Sequence, residues 1–176
     1  NFRLIGQMAW HSVLRNKLVS SGFTALYDYC IIDCPPALDM IVTNALTAAD
    51  YVLIPLTSGQ FAYDGLRNII DRIDEIKESA NPHIEILGIL LTMVDRRTNN
   101  ARGIIESLRS TVGQNIKVFD TEIPHSVRAA ECALTGESIF SHDKNGKVAA
   151  AYEMLTKEVT ELEGKTVDRS GHDWVR

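Results

Sequence analysis

The sequence predicts a layered α/β fold on a mostly parallel sheet, and three observations along its 176 residues lead there. Four short apolar runs, Tyr29 to Cys34, Tyr51 to Leu56, Ile86 to Met93 and Val118 to Ile123, lack the polar alternation of a half-exposed sheet. Their length and β-branched content suit strands buried on both faces. Between the runs, apolar residues recur at helical spacing, and alternation of strand and helix implies right-handed crossovers. Finally, the carboxyl ends of the runs are polar, which is where an open parallel sheet places its ligands.

The elements follow in chain order. Leu4, Met8, Val13, Leu14 and Leu18 form a roughly helical pattern over Leu4 to Val19, leading through Ser20-Ser21-Gly22 to the first run. That run, "YDYCIIDCPP", delivers Asp33 and is stopped by Pro35 and Pro36, which lack an N–H and fix φ. The second run ends at Pro55 to Ser58. From Leu66, the residues Ile69, Ile70, Ile73 and Ile76 make a helical stripe that Asn81-Pro82 ends. The third run ends at Thr92 and Asp95. After Thr98-Asn99, both capping types, Ile104, Ile105, Leu108 and Val112 give a second stripe that stops at Gly113. The fourth run ends at Pro124, His125 and Ser126. A short helix begins at Ser126, and a longer one carries Val148, Tyr152, Leu155, Val159 and Leu162 on one face before Gly164. Residues 165–176 read as a polar, flexible tail.

Composition limits the function. With 45% hydrophobic and 23% charged residues, the chain reads as one globular domain. A net charge of -5 excludes a globally basic surface, so any contact with nucleic acid must be local. Three cysteines without a C-x-x-C pair disfavour a disulfide framework or zinc site and fit a reducing cytoplasm. No apolar stretch approaches the roughly 20 residues a bilayer-spanning helix needs.

Asp33 has two readings from pattern alone. A carboxylate at the end of a buried strand can orient the water shell of Mg²⁺ beside bound phosphates, because that hard cation keeps several waters. It can equally cap local backbone donors. The stiff diproline loop that follows favours the first.

Five phrases taken together resemble ParA-type partitioning ATPases: Asp33-Cys34-Pro35-Pro36, "NALTAADYVLIPL" from Asn44, "LGILLTMVDRRTN" from Leu87, "IPHSVRAAE" from Ile123 and "AAAYEMLTKEV" from Ala149. Their order and spacing match from about Val13 to Glu163, and within the deviant P-loop group the wording is nearest to ParA and Soj. The resemblance implies a three-layer, doubly wound P-loop NTPase-like fold that binds ATP with Mg²⁺ as a sandwich dimer. It implies nonspecific DNA binding, a centromere-binding partner of the ParB type, and a cytoplasmic, nucleoid-associated location. Carried over by motif, Asp33 is the Walker-B aspartate, reaching the metal through water. Thr92, Met93, Pro124, His125 and Ser126 would lie at the nucleotide, and Arg97 and Arg128 would face DNA.

Each implied role has a plainer counterpart. Arg96, Arg97 and Arg128 can be solvated surface charges, Thr92 an ordinary strand terminus and Ser126 a helix N-cap. His125-Ser126 replaces the family's usual Arg-Asn, which puts the tightness and base selectivity of the adenine contact in question.

The family's K-G-G-x-G-K-T loop has no counterpart in the sequence. Gly164-Lys165-Thr166 has Val159 where the earlier glycine belongs and follows the last helix, so it reads as coincidence. The expectation is therefore that residues 1–164 are the C-terminal part of one ParA-type domain, with the N-terminal strands missing. Such a chain alone would not hydrolyse ATP measurably. An uncovered sheet edge would also promote self-association. A nonenzymatic interaction module is the competing expectation. A membrane-cycling role is disfavoured because the tail "KTVDRSGHDWVR" has no amphipathic basic helix.

Overall fold

The computed structural model describes residues 10–57, 59, 62–97 and 99–170. They fall into two compact units, Asn1–Leu53 with Tyr63–Leu87, and Ile54–Ala62 with Gly88–Arg176. In chain order the regular elements are α1 (Val13–Ser20), α2 (Met40–Ala48), β1 (Tyr51–Thr57), α3 (Ala62–Ser79), β2 (Glu85–Val94), α4 (Asn99–Thr111), β3 (Val118–Pro124), α5 (Val127–Thr135), α6 (Ile139–His142) and α7 (Lys147–Ser170). Single 3₁₀ turns occupy Trp10–Ser12 and Phe23–Ala25. The strands hydrogen-bond in the order β1-β2-β3, and β2 runs parallel to β3. Three of the four expected strands and the stripes of α3, α4 and α7 therefore form where the periodicity puts them, and the short helix expected from Ser126 is α5. Of the N-terminal helix expected over Leu4 to Val19, residues 1–9 lie outside the described residues; the rest is the Trp10–Ser12 turn followed by α1.

The first unit contains α2, a helix that polarity does not reveal in "MIVTNALTA", because Thr43 and Thr47 are buried while Met40 and Ile41 are exposed. Asp39 starts it by accepting hydrogen bonds from the Ile41 N–H at 2.9 Å and the Val42 N–H at 3.4 Å. Asn81 closes it. That side chain is buried, and its Nδ2 donates to the carbonyls of Leu46 at 3.0 Å and Ala49 at 2.7 Å, satisfying acceptors the helix end leaves open. The Leu14 N–H donates to Asn44 Oδ1 at 3.3 Å, tying α1 to α2. Leu66, Ile73 and Ile76 of α3 are buried, as their spacing predicts.

The first expected strand does not form. Tyr29 to Cys34 carries no regular secondary structure, and all but the half-buried Ile32 are exposed, Ile31 at 93%. A strand exists only through a ladder with a neighbour, and no strand among the described residues pairs with this segment. Its apolar, β-branched composition suits a sheet without placing it in one.

In the second unit, Ile89, Leu91, Leu108, Phe119 and Ala149 are almost wholly buried. The β2–β3 register is irregular: Ile89 faces Val118 but Leu91 faces Glu122, so β3 carries extra residues between those pairs. Such a bulge leaves backbone donors without ladder partners. Glu158 of α7 takes them up, accepting from the N–H of Asp120 at 3.0 Å and of Thr121 at 3.1 Å, while Lys117 Nζ lies 3.0 Å from its carboxylate. Partial burial alone would push the Glu158 carboxyl up, but these hydrogen bonds and the Lys117 partner hold it below its ordinary value. Close approach fixes Gly88: a Cβ there would sit 2.8 Å from Phe119 Cε2 and 2.9 Å from the Lys117 carbonyl oxygen.

The tail also differs from expectation. Helix α7 continues through Gly164 to Ser170, so 165–170 are helical and only 171–176 lie outside the described residues. One interior glycine costs a helix about 1 kcal/mol relative to alanine, and none of the other residues from Lys165 to Ser170 is a breaker.

Candidate functional site

Most of the residues picked out by sequence converge in the second unit, where β2 and β3 end. The His125 N–H donates to the Val94 carbonyl at 3.0 Å and ties the two strand ends together. This brings Thr92 and Met93 beside the Pro124–His125–Ser126 turn. Met93 has φ 51°, the single positive φ at a non-glycine among the described residues, and its side chain is 60% exposed. Left-handed backbone at such a residue costs about 1–3 kcal/mol and recurs where a fold positions a group for function. Ser126 occupies the N-cap position of α5, yet its hydroxyl makes no capping hydrogen bond. Of its two readings, the cap is present by position only.

The loop after β2 is held by ion pairs. The Arg97 guanidinium forks onto Asp95, Nε to Oδ1 at 2.8 Å and Nη2 to Oδ2 at 2.6 Å, and these hydrogen bonds hold the Asp95 carboxyl well below the usual carboxylate range. Arg96 makes a second fork onto Glu122, with Nε and Nη2 at 2.8 and 2.7 Å. Arg109 of α4 reaches the same carboxylate at 3.1 Å and the Phe119 carbonyl at 2.9 Å. Partial burial pushes the Glu122 carboxyl up, but the two arginines outweigh it and hold the group below its ordinary value. Arg128, on the first turn of α5, is exposed and has no ion-pair partner among the described residues. Sequence reasoning missed the Arg96–Glu122–Arg109 cluster. Its one visible signal was a second carboxylate, Glu122 after Asp120, inside a short strand run.

A groove of about 420 Å³ opens between these strand ends and α7, lined by Val94, Arg96, Glu122, Pro124, Lys147 and Met154 among others. Of the residues expected at the nucleotide, Pro124 lines it and the others do not.

Asp33 belongs to the first unit. It is exposed and accepts no hydrogen bond among the described residues. Desolvation, and then the Asp33 charge, push the Cys34 thiol up, so Cys34 is protonated and poorly suited to be a nucleophile. No three His, Cys, Asp or Glu side chains among the described residues gather as metal ligands, and no described helix is long and apolar enough to cross a membrane. Gly164-Lys165-Thr166 lies inside α7, where successive N–H groups are committed to the helix ladder and cannot wrap a phosphate.

Comparison with known proteins agrees with this architecture. The AAA domain family profile matches residues 1–86. The chromosome partitioning protein ParA of Caulobacter vibrioides is 37% identical over 160 residues, 90% of this chain and 59% of that protein. The sporulation initiation inhibitor protein Soj of Bacillus subtilis is 39% identical over 133 residues, 76% of this chain and 52% of that protein. Among solved structures, cobyrinic acid a,c-diamide synthase from Mycobacterium smegmatis with bound ADP and magnesium superimposes with a TM-score of 0.68 at 23% identity, covering 97% of this chain and 58% of that one. The fold is thus the three-layer α/β fold of P-loop NTPases, a parallel sheet flanked by helices. Within that class, the chain is a homologue of the ParA/Soj partitioning ATPases. It spans between about half and three fifths of the length of these curated relatives.

Proposed function

We propose that this chain is the Walker-B-bearing part of a ParA-type ATPase that partitions chromosomes or plasmids, with ATP- and Mg²⁺-dependent dimerisation, nonspecific DNA binding and a ParB-type partner. The observation that carries the reading is the Asp33 carboxylate, exposed, unpartnered among the described residues and followed by the stiff Pro35-Pro36 turn. That is the donor a hydrated Mg²⁺ takes: a single hard oxygen, free of internal hydrogen bonds, that can hold the cation's waters. When bound with the triphosphate, the cation neutralises charge on the transferring phosphoryl group. Met93 with its left-handed backbone, Thr92 and Pro124 to Ser126 offer backbone groups and a free hydroxyl to the base. Arg128 offers DNA phosphates a solvated guanidinium, whereas Arg97 must share its fork with Asp95. The sequence contains no K-G-G-x-G-K-T loop, so the chain by itself does not hydrolyse ATP.

The experiment measures binding of a fluorescent ATP analogue with and without Mg²⁺ to the protein carrying this chain. Asp33→Asn abolishes the Mg²⁺-dependent gain in affinity, and a gain that survives the substitution refutes the role given to Asp33. Arg128→Ala weakens DNA binding about equally on unrelated sequences and lowers the salt slope by about 1. A nonenzymatic interaction module is the second reading, favoured by the helical placement of Gly164-Lys165-Thr166. Absence of any ATP binding would select it.

A further inference from the structure

His142 is the last residue of α6, and both of its ring nitrogens face carboxylates on other segments. Nε2 lies 3.1 Å from Glu131 of α5, and Nδ1 lies 3.0 Å from Glu137 in the link between the two helices. A neutral imidazole has one N–H, so only the imidazolium donates to both oxygens at these distances. In the neutral ring, one nitrogen would present its lone pair to a carboxylate oxygen at hydrogen-bond range, and that contact has to open. The ring is sheltered, 19% exposed, against 45% and 57% for Glu131 and Glu137.

We propose that His142 is a proton-operated latch: charged, it clamps α6 and the 136–138 link onto α5; neutral, it releases one of the two carboxylates. The charged groups facing the ring are Glu131 from α5 and Glu137 from the link; α7, which also packs on α6, contributes none that bears on it among the described residues. The hydrogen bonds to Glu131 and then Glu137 outweigh desolvation and raise the affinity of the ring for its proton. A group held more tightly by its proton in the folded state stabilises fully below its unfolded pKa of about 6.5 and loses that contribution as pH rises through the folded value. Gly136 caps α5 in the left-handed conformation at φ 72°, so the chain turns sharply there before α6. Through Glu131, the latch sets how firmly α6 and the link are held against the C-terminal half of α5.

The test is an NMR titration of the whole chain from pH 5.5 to 9, following the His142 ring Cε1–H and the amides of residues 131–143. The expected midpoint for His142 lies above about 6.5, the amides of Glu131, Gly136 and Glu137 shift with the same midpoint, and that shift vanishes in His142→Gln. Glu131→Gln and Glu137→Gln each lower the midpoint. A wild-type ring that titrates at or below about 6.5 overturns the latch, as do amides that ignore the His142 midpoint. The wild-type titration alone decides if a variant fails to fold.

Discussion

Replacing Glu122 with glutamine tests the packing argument at the strand ends most directly. The Glu122 side chain is 12% exposed and accepts from Arg96 at 2.7 and 2.8 Å and from Arg109 at 3.1 Å. Glutamine keeps the shape and one acceptor oxygen but removes the charge, so Arg96 loses its counterion and Arg109 keeps only the exposed Asp120, 3.8 Å from its Nη1. A sheltered hydrogen bond to a charged group contributes about 1.5–3 kcal/mol, which sets the ceiling for the Arg109 arm. The Arg96 arm is 63% exposed and falls in the surface range of about 0.2–1 kcal/mol. Allowing for the contact glutamine retains, the expected loss at pH 7 is about 1–2 kcal/mol. Because the folded state holds the Glu122 carboxyl below its ordinary value, the stabilisation is complete above the unfolded pKa of about 4.3 and disappears as pH falls through the folded value. Urea unfolding of wild type and Glu122→Gln, followed by far-ultraviolet circular dichroism at pH 7 and in steps below 4.5, reads both effects. A gap at pH 7 that does not narrow on acidification refutes the reasoning.

Gly88→Ala forces a methyl group into the space held by Phe119 and the Lys117 carbonyl, which accepts the Ile89 N–H at 2.8 Å. The expected cost is about 1–3 kcal/mol, and calorimetry would show it as a lower Tm; an unchanged Tm would mean that the strands close more loosely than described. Asn81→Ala leaves the Leu46 and Ala49 carbonyls without their donor and should destabilise by about 1–3 kcal/mol in urea. Asn81→Asp, which keeps the volume but loses the donor, should be no better.

Much of the architecture was written in local pattern. The stripes Leu66–Ile73–Ile76 and Ile105–Leu108 bury the residues their spacing selects, and Asn81-Pro82 and Gly113 mark helix ends to within a few residues. The residues at the ends of β2 and β3 were legible for the same reason, since polar groups closing an apolar run are visible in one dimension. Glu122 was not. Nothing in "FDTEIP" tells that Arg96 and Arg109, distant in sequence, close on one carboxylate. The α2 helix was missed because its buried side carries Thr43 and Thr47 while Met40 and Ile41 face out, the reverse of an amphipathic stripe, and the latch at His142 because its two partners sit on different segments.

What the sequence determined by itself was the strand–helix alternation from β1 to α5, the helix α7, the class of fold and the motif phrases shared with ParA and Soj, all set by chemistry within a few neighbouring residues. Tertiary structure alone decided which apolar run became a strand. Tyr29 to Cys34 has the composition of one but pairs with no described strand, because a β-ladder takes its hydrogen bonds from elsewhere in the chain. It likewise decided which charges meet, since the free energy of an ion pair depends on distance and shelter rather than on position along the chain.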